Sequence, residues 1–239
     1  MTKLAWDAIG EHRYETGVDH GVLYQVTPAG KYSNGVAWNG LTNVSESPSG
    51  AEAQKQYADN MNYLTLYSAE EFGATIEAFT YPDEFEQNDG FATPVKGMRL
   101  GQQTRKSFGL AYRTKIGNDI AGDDYGYKLH LIYGCRAAPS ERGYATINDS
   151  PEAITFSWEV STTPVQVTDY EPTSQIVIPS TDFESQEERT KLALLEDVLF
   201  GTNGEGQGAT GTVPTLPLPD VVEKILEGTI TSVADAIAA

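Results

Sequence analysis

Three carboxylates beside two aromatic rings are the residues whose types and spacing come nearest to an active site. Asp83, Glu84 and Glu86 are interleaved with Phe85 and follow Tyr81. A glycosidase needs one carboxyl group as a general acid and a second as a base or nucleophile across the scissile bond. The chain contains 34 acidic residues, so such neighbours are also expected without a catalytic role. A hydrolase that uses these acids is kept as one alternative.

Metal and nucleophile chemistry has less support in the residue pattern. The acidic run 118–124 lacks the spacing of the calcium loop in helix–loop–helix proteins, so we interpret it as a solvated hairpin tip. No glycine-rich stretch ends in the Lys-Ser or Lys-Thr pair of a phosphate loop. We therefore expect no catalytic residue, no cofactor, no metal and a buried passive thiol. The residues whose types could bind a metal, but whose spacing does not match a known site, are Asn118, Asp119, Asp123, Asp124, His12, His20, His130 and Cys135.

Charge and composition exclude several classes of protein. The formal net charge of −18 repels phosphate, which disfavours electrostatic binding of nucleic acid or anionic lipid. One cysteine cannot form an internal disulfide. No stretch approaches the roughly 20 apolar residues of a membrane span, and the sequence MTKLAWDAIG lacks the apolar run of a signal peptide. We expect a protein that folds in the cytosol and does not insert into a membrane.

Two segments with alternating apolar residues indicate that the elements are mainly β-strands. YKLHLIYG (127–134) and ITFSWEVS (154–161) place large apolar residues at every second position, so each is predicted to bury one face and expose the other. In the second segment the inward face is Ile154, Phe156, Trp158 and Val160. With these two segments included, strands are predicted at 21–27, 35–46, 62–68, 75–81, 106–117, 125–134, 154–167 and 173–180. Residues 106–117 and 125–134 are predicted to form a hairpin.

The remaining segments suggest one domain with extensions. Residues 1–20 are predicted to be an N-terminal arm, 21–201 a β-domain, and 202–239 a Gly/Pro-rich linker with one short amphipathic helix. A helix is predicted near 183–200, with Ser185 or Thr181/Asp182 as cap and Gly201 at its end. Predicted loops and turns are Asn34-Gly35, the irregular segment 45–60, the long loop 83–105 and a projecting hairpin tip at 118–124.

Two long stretches carry a resemblance to a known family. They span residues 35–85 and 101–165, about half of the chain, and their distinctive runs are AEEFGATIEAFTYPDEF, RTKIGND, YKLHLIYG and ATINDSPEAITFSWEVSTTPV. These runs resemble the major tail protein of long non-contractile-tailed bacteriophages of Gram-positive bacteria, the phi13-type tail tube family. The resemblance implies a β-sandwich or barrel-like tail tube fold with a flanking α-helix and extended arms and loops.

The same resemblance implies a role without catalysis. It indicates a virion tail protein, assembled in the host bacterial cytoplasm, whose hexameric rings stack into a tube around a tape-measure protein and later around passing DNA. Tail terminator and tail-tip proteins would be further partners. Acidic residues facing the lumen would keep DNA from adhering. The residues predicted to contact neighbouring subunits are Asp83, Glu84, Phe85, Phe91, Arg99, Arg105, Arg113, Lys115, Asp119 and Asp123.

The main alternative is a carbohydrate-binding module of a phage or cell-wall protein. A β-sandwich with exposed Tyr and Trp rings would give stacking platforms for sugars. Saturable binding of glycans or cell walls by a monomer would favour this alternative. The assembly hypothesis instead predicts that deletion of the arm-like loop 83–105 leaves a soluble fold but abolishes polymerisation.

Overall fold

The computed structural model describes residues 4, 6–147, 149, 152–203 and 211–239. The fold is mainly β, with helices late in the chain. The strands are β1 Arg13–Val26, β2 Tyr32–Ala37, β3 Leu41–Glu46, β4 Ser49–Gly50, β5 Ala53–Ala58, β6 Met61–Tyr67, β7 Glu70–Glu71, β8 Gly73–Ala78, β9 Phe108–Asn118, β10 Gly122–Ala137, β11 Phe156–Ser161, β12 Val165–Val167, β13 Tyr170–Thr173 and β14 Gln175–Pro179. The helices are α1 Gln186–Phe200, α2 Pro219–Glu227 and α3 Val233–Ala238, with short 3₁₀-helices at Asp83–Gln87 and Ser180–Asp182.

Two antiparallel sheets share the long strand β10. The strand order is β2-β1-β9-β10-β11-β8-β3, and β14 pairs with β10 from Lys128 to Ile132. Only the last residues of β10, Arg136 and Ala137, pair with β11. We name β2-β1-β9-β10-β14 sheet 1 and β10-β11-β8-β3 sheet 2. The two sheets form the β-sandwich that the sequence predicts.

Gly134 lies where β10 passes from sheet 1 to sheet 2. The register between β10 and β9 shifts between Ile132 and Cys135, and Gly134 has a φ of +61° there. Its carbonyl accepts a hydrogen bond from the Thr163 N–H at 3.1 Å. A Cβ at this position would lie 2.1 Å from the Thr163 carbonyl oxygen. The bend therefore requires glycine for both conformation and space.

An aromatic core fills the space between the sheets. Trp158 is fully buried and lies near the rings of Trp38 and Phe85, with centroid distances of 5.7 and 5.1 Å. Ile76 from β8 and Leu110 from β9 complete its surroundings. The inward face predicted for the 154–160 segment is confirmed for Trp158 and Val160, whereas Ile154 at its edge is 38% exposed.

A second core lies between sheet 1 and the helices. The predicted stripe of α1 is buried: Leu192, Leu195, Val198 and Leu199. Ser185 caps this helix in a reciprocal pair with Glu188, and Gly201 ends it at a φ of +75°. Because sheet 1 lies between this core and the aromatic core, β10 is buried on both faces, including His130 and Ile132. The prediction that one face of 127–134 is exposed is therefore wrong.

The N-terminal segments differ from the prediction in two places. Strand β1 begins at Arg13 and pairs with β9 from its first residue, so residues 13–20 belong to the sheet and not to an arm. Asn34-Gly35 is not a turn but an irregularity within β2, with Asn34 at a φ of +52°. The β1–β2 turn lies earlier, where the Thr27 N–H donates to the Lys31 carbonyl.

Three segments that were predicted to be irregular form strands or pack against the rest of the domain. Residues 45–60 contribute β5 of a hairpin, and 83–105 begins with a 3₁₀-helix whose Phe85 is buried in the aromatic core. The segment after 211 packs on the body, where the Leu216 N–H donates to the Tyr32 carbonyl. The predicted linker residues 204–210 lie outside the described residues. The C-terminal helix is two helices, because Gly228 ends α2 in the left-handed conformation.

Candidate self-assembly surfaces

The hairpin β5–β6 is the most exposed element of the described chain. Its strands pair only with each other, and every residue from Ala51 to Leu64 is exposed to solvent. An isolated two-stranded hairpin is marginally stable in water because it has no core of its own. The short strands β4 and β7 pair at its base, Ser49 with Glu71 and Gly50 with Glu70. They join the hairpin to the body.

Apolar side chains project from both faces of this hairpin. The register places Tyr63 and Tyr67 on one face, where they are 69% and 72% exposed. Leu64 and Leu66 lie on the opposite face, and Tyr57 joins them because the register shifts after Gln56. Soluble monomers rarely leave so many large apolar side chains together in water. These exposed apolar side chains make the hairpin a candidate surface for contact with another chain.

Two sheet edges are open in the described part of the chain. At the margin of sheet 2, β3 pairs with β8 on one side and with no strand on the other. At the margin of sheet 1, β14 pairs only with β10. The third margin, β2, is covered because the Gly35 N–H donates to the Pro214 carbonyl at 3.0 Å. Open edges are templates for pairing with another chain.

A charged network lies where β3 leads to the hairpin. Glu46 Oε1 accepts a hydrogen bond from the Tyr112 hydroxyl at 2.6 Å and lies 3.2 Å from His130 Nδ1. The imidazole is stacked on the Tyr112 ring, and its Nε2 lies 3.0 Å from Thr114 Oγ1. His130 first, and then Tyr112, lower the pKa of Glu46 to about 2. The network joins the edge strand β3 to sheet 1.

Of the interface residues predicted within 83–105, some are exposed and others are buried in their own chain. Phe85 is fully buried in its own chain, so its side chain cannot contact a neighbouring subunit. Asp83 is exposed and lies 3.4 Å from Arg99, and Arg99 also pairs with the buried Glu86. Glu84 is exposed, and its carbonyl accepts from the Gln25 side chain. Asp83, Glu84 and Arg99 can therefore reach a neighbouring subunit.

Arg105 and Phe91 belong to a cluster that fixes the loop to its own domain. Buried Asp89 accepts from Arg105 at 3.0 Å and pairs with Arg142. The Arg142 guanidinium lies over the Phe91 ring, 5.3 Å from its centroid. Removing either arginine would leave the Asp89 charge poorly compensated in the protein interior. Residues 83–105 are therefore part of the folded body, which corrects the prediction of a removable arm.

The candidates of the β9–β10 hairpin have mainly intramolecular partners. Arg113 donates to Asp19 at 2.9 Å, whereas Lys115 is exposed. Asp119 accepts from the Gly10 N–H at 3.0 Å, and this bond lowers the pKa of Asp119. Asp123 accepts from the Tyr14 hydroxyl at 2.8 Å. The β9–β10 tip is thus capped by N-terminal residues and does not project freely.

The arrangement of the described side chains does not support a metal site, a reactive thiol or a pair of catalytic carboxylates. Within the described ranges, no group of three or more His, Cys, Asp or Glu side chains is placed to hold a metal ion. Cys135 is buried, and burial raises the pKa of its thiol well above the usual range. Asp83, Glu84 and Glu86 line a cavity of about 390 Å³, but Glu86 is held there by Arg99 and Thr93.

The strand predicted at 62–68 is confirmed as β6, but the sequence analysis did not predict its partner strand β5. Its segment has many Gln, Asn and Ala residues and little sustained alternation, which is typical of an irregular loop. The available signal was Asp59-Asn60, a pair suited to the left-handed conformations that both residues adopt in the turn. A two-residue turn of this kind between YA and MNYLTLY predicts a hairpin.

Comparison with known proteins gives a weak structural likeness. No protein-family model and no curated protein matches this sequence. The chain is similar to one in a solved structure described as "Cryo-EM structure of the anti-feeding prophage (AFP) baseplate, 6-fold symmetrised", with 8% sequence identity and a TM-score of 0.35 over 73% of this chain and 97% of that chain. A likeness at this level carries no argument, so the resemblance to phi13-type tail tube proteins stays a prediction. Every helix in the described part of the chain is too short or too polar to span a membrane.

Proposed function

We propose that this protein is a phage virion structural protein, a tail tube subunit that assembles with copies of itself into stacked hexameric rings. The observation that carries the proposal is the hairpin β5–β6, whose two faces expose Tyr57, Tyr63, Leu64, Leu66 and Tyr67 without a partner among the described residues. The open edges of β3 and β14 add surfaces on which sheets of neighbouring copies can be continued. The resemblance to phi13-type tail proteins supplies the ring and tube geometry.

The proposed partners follow from that geometry. Identical copies build the tube, a tape-measure protein occupies its lumen during assembly, and terminator and tip proteins close its ends. The net charge of −18 suits a conduit, because an acidic wall repels the phosphates of passing DNA. We propose that the chain has no enzymatic activity, so the wild type should hydrolyse no polysaccharide and neither Asp83→Asn nor Glu84→Gln should remove any turnover.

Removal of the hairpin tests the proposal. Ala53 and Tyr67 are paired, so a two-glycine link from Glu52 to Ser68 can replace residues 53–67 without straining the stem. The shortened protein should keep the wild-type melting temperature but remain monomeric in sedimentation velocity, while the wild type forms larger species. Tyr144→Ser, at an exposed tyrosine outside the hairpin, should assemble like the wild type. Unchanged assembly of the shortened protein would contradict the proposal.

The exposed tyrosines also keep the carbohydrate-binding hypothesis testable. Tyr63 and Tyr67 on one face of the hairpin form a platform on which sugar rings can stack. Sedimentation with purified bacterial cell walls distinguishes the two functions. Saturable binding by a monomer that is lost in Tyr63→Ala would favour the binding module over the tube subunit.

A further inference from the structure

An apolar groove with an acidic rim lies between α2 and the β12–β13 hairpin. The groove has a volume of about 570 Å³, and its apolar lining includes Tyr170, Val222 and Leu226. Among the described residues, the charged members of its lining are all carboxylates, from Glu171, Glu223 and Glu227. A groove of this chemistry fits an apolar segment that carries a positive charge.

The groove is held in shape by a bond between its two walls. The Asp220 carboxylate at the start of α2 accepts from the Thr168 N–H at 2.9 Å and from its hydroxyl at 2.6 Å. These bonds lower the pKa of Asp220 because they stabilise the ionised carboxylate. A groove that is formed before binding loses less conformational entropy when it is occupied.

The matching segment is the loop 94–100, which we name the basic loop. Residues 90–118 contain no acidic residue and six of the 16 Lys and Arg residues of the chain. Within the basic loop, Val95, Met98 and Leu100 are 60%, 48% and 41% exposed. Arg99 is paired with Glu86, but Lys96 has no ion-pair partner among the described residues. The basic loop thus combines exposed apolar side chains with an available cation.

The basic loop also has a defined shape and place. Ala92 and Leu100 exchange backbone hydrogen bonds of 2.9 and 2.8 Å, which close its base. The segment is anchored through Phe85 to the core between the sheets, whereas Val222 packs in the core beneath the helices. These two cores lie on opposite faces of sheet 1, and no residue of the basic loop lines the groove of its own copy, so a contact between the two would join different copies.

We propose that the basic loop of one copy docks into the α2/β12–β13 groove of the next copy. Val95 and Met98 enter the apolar floor, and Lys96 lies among the rim carboxylates. The hairpin β5–β6 is a poorer occupant, because Lys55 and Asp59 leave it without net charge. The contact joins two different patches, so it can repeat around a closed ring. This inference rests on the proposed self-assembly and names one of its contacts.

Disulfide trapping tests the contact directly. The double variant Met98→Cys/Tyr170→Cys has one new thiol in the basic loop and one at the groove, both at exposed positions, while native Cys135 is buried. Under mild oxidation it should form a ladder of covalent oligomers. The matched control Ile120→Cys/Tyr170→Cys moves the first thiol to the exposed β9–β10 tip and should form no ladder.

Charge reversal gives an independent measurement. Lys96→Glu should raise the protein concentration needed for assembly by about tenfold or more, and Glu223→Lys/Glu227→Lys in the same chain should restore it. Lys55→Glu is the control that the reversed groove should not rescue. Assembly with no ladder and no rescue would overturn this contact while leaving the proposed function intact. A monomer in every variant and in the wild type would overturn both.

Discussion

At the scale of single residues, Trp158 is the centre of the core between the sheets. Its ring lies 5.1–5.8 Å from those of Trp38, Tyr81, Phe85 and Phe156. Trp158→Ala should lower the free energy of unfolding by about 3–5 kcal/mol, because it removes buried contacts and leaves a cavity. Urea unfolding measures the change.

The matched control for that substitution is Trp6→Ala. Trp6 is 76% exposed, so its loss should change stability by less than about 0.5 kcal/mol. Equal unfolding midpoints for Trp158→Ala and the wild type would contradict the position assigned to this side chain.

Glu46 gives the fold a defined sensitivity to acid. Its pKa is lowered from 4.5 to about 2, chiefly by His130. Because the folded pKa lies below the unfolded one, the stabilisation is fully present above pH 4.5 and is lost as the pH falls toward 2. Glu46→Gln should therefore lose less stability than the wild type between pH 5 and about pH 2.5.

Urea midpoints measured across that pH range check the Glu46 prediction. Glu71→Gln removes an exposed carboxylate at the base of the hairpin and should keep the wild-type pH dependence. Parallel curves for Glu46→Gln and the wild type would show that the network with His130 does not stabilise the folded state.

At the scale of secondary-structure elements, β10 connects the two sheets and depends on Gly134. Gly134→Ala places a side chain at a positive φ and within 2.1 Å of the Thr163 carbonyl oxygen. The strained backbone alone should cost about 1–3 kcal/mol, and the steric clash adds to this cost. Gly143→Ala is the control, because an added Cβ there meets no atom within 4 Å. A melting temperature for Gly134→Ala equal to that of the control would contradict the bend.

Sequence patterns predicted several of the elements that have a core to pack against. Alternation identified the buried Trp158 and Val160, and helical spacing identified the buried stripe that includes Leu195. The pattern could not show that β10 has a core on both sides, because burial of its second face depends on helices more than 50 residues later in the chain. The packed position of Leu216 was hidden in the same way by its Pro-rich surroundings.

The candidate site was harder to predict than the fold. Neither core of the described residues packs against β5, so burial leaves no strong periodic signal in its sequence, whereas NYLTLYS was recognised as the strand β6. Phe85 illustrates the opposite case, since a segment without visible periodicity holds one of the central side chains of the core. Lys96 and Met98 were within the loop predicted to make contacts, and the structure leaves their side chains exposed.

At the scale of the whole molecule, the account depends on surfaces that are incomplete in one copy. A helical layer, sheet 1 and sheet 2 together form a stable body, while the hairpin β5–β6 and the edges of β3 and β14 have no partner within the described chain. The same copy presents a basic loop on one side and an acidic groove on another. These features together favour repeated association of identical copies.

Negative-stain electron microscopy of the purified full-length protein, imaged over a range of concentrations and averaged, tests this claim most directly. The account predicts ring-shaped particles with six-fold symmetry and, at high concentration, stacks or tubes with a hollow centre. Single particles of about the 25.9 kDa monomer at every concentration, with no ring or tube, would contradict it.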